Sequence, residues 1–131
     1  MAEQLPEAKQ RISQALIDAY AELSGDHNPI HVDPEVAARS EFGGTIAHGP
    51  MALQPFIVAA TTLLAAETLP SGSRFRIRYM SPMRPGDEVG CRLAERDGDV
   101  LVAECVKQDG TVVARVDATI PGAGARLEGA S

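Results

Sequence analysis

Within the six residues Asp26-His27-Asn28-Pro29-Ile30-His31 the chain carries a carboxylate, an amide and two imidazoles. A carboxylate and an imidazole brought together can hold a water and move its proton near neutral pH, where histidine titrates. A proline stiffens the stretch, and loops on a firm scaffold are where reacting groups are often held. The same residues admit a plainer reading, in which Asp26 and Asn28 only make Asx-turn bonds to nearby backbone. A second stretch, Phe42-Gly43-Gly44-Thr45-Ile46-Ala47-His48-Gly49-Pro50, leads into a predicted helix. The first N–H groups of a helix lack partners within it and lie at the positive end of its dipole, so they can hold a developing oxyanion. Pro50 has no N–H, which leaves Gly49 as the natural donor, although a plain helix start after a tight turn would look the same. Metal chemistry has less support, because His27, His31 and His48 do not have zinc-site spacing and no cysteine accompanies them. His27 reads as a surface residue, and His48 as a brace for the loop before Gly49.

Elements on both sides must position these residues. Ser13 caps a predicted helix from Gln14 to Leu23, with Leu16, Ile17, Tyr20 and Leu23 at helical spacing and Ser24-Gly25 at its end. Asp33-Pro34-Glu35 opens a second, short helix, with an acid at the cap and proline in the first turn. The third runs from Gly49-Pro50 to about Leu69, apolar on nearly every side, and such a helix is expected to be buried. Beyond Pro70-Ser71-Gly72 the pattern changes to strands. From Ser73 to Ser81 arginines at 74, 76 and 78 alternate with Phe75, Ile77 and Tyr79. Three further strands, Glu88 to Arg96, Asp99 to Gln108 and Thr111 to Ile120, are separated by Asp97-Gly98 and Asp109-Gly110, strong hairpin signals. Read as two-residue turns, these place Glu104 opposite Arg115, Leu101 opposite Ala118, Ala103 opposite Val116, and Cys91 opposite Glu104 with its thiol turned away from Cys105. The pattern predicts an α+β domain over residues 1–121, an antiparallel sheet wrapped on a long central helix, followed by a disordered tail at 122–131.

Composition narrows the function classes. The chain has 131 residues, 44% of them hydrophobic, enough for one domain to fold without disulfides or metals. A formal net charge of −6 argues against a nucleic-acid partner. There is no signal-peptide pattern at the start and no membrane-spanning run, and the two separated cysteines suit a reducing compartment, so a cytoplasmic location is expected.

Tyr20 through His31, with Ala37 six residues later, resembles the signature of (R)-specific enoyl-CoA hydratases, also called hydratase 2 or MaoC-like dehydratases, which have the hot-dog fold. Phe42-Gly43-Gly44 with Ile46-Ala47-His48-Gly49 is similar to that family's second block, and Arg78 and Met83-Arg84-Pro85-Gly86-Asp87 to its strand region. The resemblance spans roughly residues 11 to 120. It departs from the family where Pro50 precedes Met51 after the His-Gly pair, and in an N-terminal strand, common in the family, that is short or missing here. The resemblance implies a lyase that reversibly hydrates trans-2-enoyl thioesters to (R)-3-hydroxyacyl thioesters, with Asp26 and His31 catalytic and the Gly49 N–H polarising the thioester carbonyl. Asn28 would orient the loop at the substrate site, and Arg78 and Arg84 are candidates for phosphates of coenzyme A or phosphopantetheine. Arg74 and Arg76 read as a solvent face. No metal or redox cofactor is implied, the carrier being part of the substrate, and a homodimer follows by analogy. Two other readings stand beside it. One is a hot-dog thioesterase, which would use a lone carboxylate on the buried helix, where Glu67 is the only acid. The other is a non-catalytic acyl-thioester-binding subunit of a heterodimeric dehydratase.

Overall fold

The computed structural model describes residues 3–130. A short strand β1 (Lys9–Arg11) leads into α1 (Gln14–Ser24), where the Ser13 hydroxyl accepts the Leu16 N–H, and Gly25, at φ 80°, closes the helix by donating to Ala21 O. Two short helices follow, α2 (Pro29–Val32) and α3 (Pro34–Ala38). In α3 the Asp33 carboxylate caps the N–H groups of Glu35 and Val36. After a loop comes a 3₁₀ turn at Gly49–Ala52, which runs into α4 (Leu53–Leu64). Strands β2 (Arg74–Tyr79), β3 (Glu88–Asp97), β4 (Val100–Lys107) and β5 (Val112–Thr119) complete an antiparallel sheet in the order β1-β3-β4-β5-β2, and α5 (Ala123–Ala130) ends the described chain. The inward residues Leu101, Ala103, Cys105, Ala114, Val116 and Ala118 are all buried and pack with Phe56, Ala59 and Ala60 of α4. Small side chains there let the sheet lie close against the helix. No helix among the described residues is long and apolar enough to cross a membrane.

Three features differ from expectation. First, the β4–β5 register is as read from Leu101 to Glu104, with Glu104 opposite Arg115, Leu101 opposite Ala118 and Ala103 opposite Val116, although the turn takes three residues, Gln108 to Gly110, and a bulge between Cys105 and Val106 makes up the difference. The β3–β4 register is not: Cys91 faces Cys105, and Arg92 takes the place opposite Glu104. The turn is Gly98-Asp99 instead of Asp97-Gly98, because Asp97 pairs with Val100 and positive φ falls on Gly98 alone, the pattern of a hairpin with glycine first. A bulge between Leu93 and Glu95 then moves the pairing back by one residue. Both thiols are free, and burial pushes Cys91 up to about 11 and Cys105 up to about 12, the latter raised further by its neighbour.

Second, the central helix is shorter and less enclosed than expected. Pro55 lacks an N–H and is tolerated only in a first turn, so the α-helix begins at Leu53 and the preceding residues take the tighter 3₁₀ form. The helix stops at Leu64, with Ala65 left-handed at φ 53°, so Glu67 lies beyond its end. Pro55, Phe56, Ala59 and Ala60 form its buried face, whereas Gln54 and Val58 are exposed.

Third, the expected disordered tail is helix α5 over most of its length. Its Ala123 and Leu127 are buried in the main core. The Asp99 carboxylate accepts the N–H groups of Gly124 at 2.9 Å and Gly122 at 3.2 Å, and these bonds hold its carboxyl below the ordinary range. Ser131, the last residue of the expected tail, lies outside the described residues.

Candidate active site

Leaving α1, the chain is set by a relay of side chains bonded to backbone N–H groups two residues on. Ser24 Oγ accepts from Asp26, Asp26 Oδ1 from Asn28, and Asn28 Oδ1 from Ile30, at 3.2, 3.2 and 3.1 Å. The turn reading of Asp26 is therefore correct, but it occupies only one carboxylate oxygen. The other, Oδ2, lies 3.8 Å from His31 Nε2. That gap exceeds a direct hydrogen bond and is a distance that one bridging water can span. His31 Nδ1 lies 2.8 Å from the Ile46 carbonyl, an acceptor only, so Nδ1 carries the proton and a neutral ring presents a bare Nε2 toward Asp26. Asn28 caps the one-turn helix α2 that carries His31, which uses its side-chain oxygen within the loop.

The second block is tied to this loop and to the 82–87 turn. Ile46 N–H donates to Ile30 O at 3.2 Å and Ala47 N–H to Met83 O at 2.8 Å. From α1, the Gln14 amide donates to His31 O at 2.8 Å and accepts the Thr45 hydroxyl at 2.6 Å. Asp87 stiffens the turn. Burial pushes its carboxyl up, but the Arg84 N–H, the Gln108 amide and the Lys107 ammonium outweigh burial and hold it below the usual carboxylate range.

These ties deliver Gly49 to the start of the 3₁₀ turn. Pro50 has no N–H, and the Met51 N–H is spent on His48 O at 3.1 Å, so the Gly49 N–H is the donor left at this helix start. A cleft of about 500 Å³ opens beside it, lined by His31 and Gly49 and by apolar groups that include Phe42, Met83 and Val113. Tyr79 also lines it, so close to Gly49 that a Cβ there would lie 3.0 Å from the ring. Nothing in the strand pattern singles Tyr79 out. Its place on the same strand face as Phe75 and Ile77 was readable from alternation, but its contact with Gly49 spans thirty residues of sequence. Burial, with a smaller push from Tyr20, raises the Tyr79 hydroxyl pKa.

Other candidates fare differently. A Cβ at Gly44 would lie 3.9 Å from the Arg84 guanidinium, which thus sits near the loop that supplies Phe42 to the cleft without lining the cleft itself. Arg78 alternates with Tyr79, so it faces away from the cleft, level with Arg115 of β5. His27 is half exposed, 3.8 Å from Glu22. Asp26, His31 and His48 are the group of metal-type ligands found among the described residues. The two imidazoles are stacked, centroids 3.9 Å apart and planes at 25°, so their in-plane lone pairs run nearly parallel and do not converge on one ion.

Residues 2–118 match the family model described as MaoC like domain. The chain belongs to that family. Among its relatives is 3-hydroxyacyl-thioester dehydratase X of Mycobacterium tuberculosis, 37% identical over 93 residues, which cover 71% of this chain and 31% of that protein. Nodulation protein N of Rhizobium meliloti is 38% identical over 91 residues, covering 66% of this chain and 56% of the other. This MaoC-like chain thus aligns with about a third of one curated relative and just over half of the other. Among solved structures, the (R)-hydratase from A. caviae involved in PHA biosynthesis superposes with a TM-score of 0.70 at 27% identity, over 92% of this chain and 98% of that one. The expected fold is therefore observed: an α+β hot-dog domain.

Proposed function

We propose that this MaoC-like chain catalyses reversible addition of water across a trans-2-enoyl thioester to give an (R)-3-hydroxyacyl thioester. The observation that carries this reading is the 3.8 Å gap between Asp26 Oδ2 and His31 Nε2, with His31 shared between that gap and the cleft that Gly49 lines. The names of the relatives support it: one is a 3-hydroxyacyl-thioester dehydratase and another an (R)-hydratase.

In the reaction, water held by Asp26 and His31 loses a proton as its oxygen bonds to C3. The C2–C3 π electrons shift toward the carbonyl, and charge gathers on the thioester oxygen. The Gly49 N–H binds that enolate-like oxygen more strongly than the substrate carbonyl, an effect of about 2.7–4 kcal/mol for one such donor in other oxyanion holes. A proton returned to C2 completes the hydration. Because water arrives from one side only, one stereoisomer forms. The apolar walls of the cleft suit an acyl chain, and Arg84, near Gly44, would meet a phosphate of the carrier. No metal or redox group takes part in this scheme. The proposed assembly is a homodimer: β2 lies at the edge of the sheet, where Phe75, Tyr79 and Met80 are exposed.

The test is to follow enoyl absorbance with crotonyl-CoA and longer enoyl-CoA substrates, with chiral analysis of the product. Loss of absorbance and an (R)-3-hydroxy product are expected. Release of free thiol instead would point to a thioesterase, a reading disfavoured by Glu67 lying off α4. Binding without turnover would point to a non-catalytic subunit.

A further inference from the structure

His48 is one of two buried polar side chains among the described residues, at 2% exposure, and the scheme above gives it no part. Its Nε2 lies 2.9 Å from the backbone carbonyl of Asp26, so Nε2 must carry a proton. Its Nδ1 is buried with no partner among the described residues. In the neutral ring that atom is a bare lone pair. Protonation would turn it into a buried donor with nothing to receive it. One ring face stacks on His31 at 3.9 Å, and Tyr20 approaches at 4.7 Å, tilted by 49°. By sequence His48 is joined to Gly49, whose other neighbour is the Tyr79 ring. The titratable groups around it are thus Tyr20 from α1, Asp26 from the loop, His31 from α2 and, across Gly49, Tyr79 from β2.

We infer that His48 is a positioning residue, an imidazole that fixes Asp26 through its carbonyl, His31 through its ring plane and Gly49 through the chain. The inference rests on the proposed hydration. Three groups that must meet one substrate come from three separate places, and His48 is the side chain that touches or adjoins all of them. The orphaned Nδ1 is the cost of this placement. An apolar side chain of similar shape would pack there without it, but would leave the Asp26 carbonyl unheld.

The experiment compares the full chain with H48F, which keeps a flat ring and loses the donor, and H48Q, whose side-chain N–H can reach where Nε2 stood. Initial rates on crotonyl-CoA are measured beside thermal melting, and ¹⁵N spectra report the His48 tautomer in the wild-type chain. Expected is a fall in kcat of about 10- to 100-fold for H48F at nearly constant KM, the scale set by small misplacements of reacting groups. H48Q is expected to recover most of it, and the neutral His48 ring to be found in the Nε2–H form. H48F at the wild-type rate, H48Q as slow as H48F with an unchanged melt, or a His48 ring in the Nδ1–H form would each overturn the inference. If H48F fails to fold, H48Q and the tautomer decide. A wild-type chain that hydrates no enoyl thioester defeats the proposed function, and the tautomer measurement still decides His48.

Discussion

Residues 25–49 and the meander from Glu88 to Thr119 hold their side chains in place by different means. The first has two short helices and otherwise loop, and its order comes from side chains bonded to backbone: Asp26, Asn28 and His48 within it, and Ser24 and Gln14 from α1. Few of its apolar groups reach the core. The meander is ordered by backbone ladders and by an inward row of buried small and aliphatic residues. Hydrogen bonds to partly exposed loop atoms set geometry at little net stability, whereas burial of apolar surface supplies most of the stability and little directional control. The chemistry sits on the first kind of structure and rests against the second.

Substitutions that separate activity from stability test this contrast, and the largest effect is expected in the loop. Asp26→Asn keeps an oxygen for the Asn28 N–H but replaces the carboxylate, so kcat on crotonyl-CoA should fall about 10²- to 10⁴-fold, the range of general acid–base contributions. With that side chain half exposed, the melting temperature should hardly move. In the meander, Leu101→Ala removes a fully buried side chain and should cost about 2–5 kcal/mol in denaturant unfolding, while the protein still folded keeps its kcat. A large loss of kcat without loss of stability there would break the contrast. Alkylation of Cys91 and Cys105 at about pH 8 should be on the order of 100-fold slower in the folded chain than in denaturant, because burial keeps both as thiols. Arg78→Ala, on the outer face, should change stability by about 0.5 kcal/mol or less and leave KM unchanged. A clear rise in KM would restore Arg78 as a phosphate contact.

Much of this was legible before the structure. Ser13 and Gly25 bound α1, and Asp33-Pro34 starts α3, because capping is local chemistry. The register of β4 on β5 matched the reading of Asp109-Gly110 because a bulge beside Cys105 offsets a turn one residue longer than two. That of β3 on β4 did not, because a bulge next to Ala94 leaves no local trace and Asp99 is drawn into the turn, where it also caps α5 from over twenty residues away. Helix α5 was missed for the same reason: Ala-Gly-Ala-Arg-Leu-Glu-Gly-Ala has one large apolar residue, and its docking depends on a distant acid and on the core that receives Leu127. At the site, Asp26, His31 and Gly49 stood out by type and spacing. The closeness of Tyr79 to Gly49 and the stacking of His48 on His31 did not, since both are contacts made across elements.

Whether Asp26 and His31 act on one shared water is decided by a double-mutant cycle on crotonyl-CoA hydration. Groups that work as a unit are non-additive, so the double variant D26N/H31A should be about as slow as the slower of D26N and H31A alone. A double variant slowed by the product of the two separate losses would show that the residues act independently and would contradict the claim.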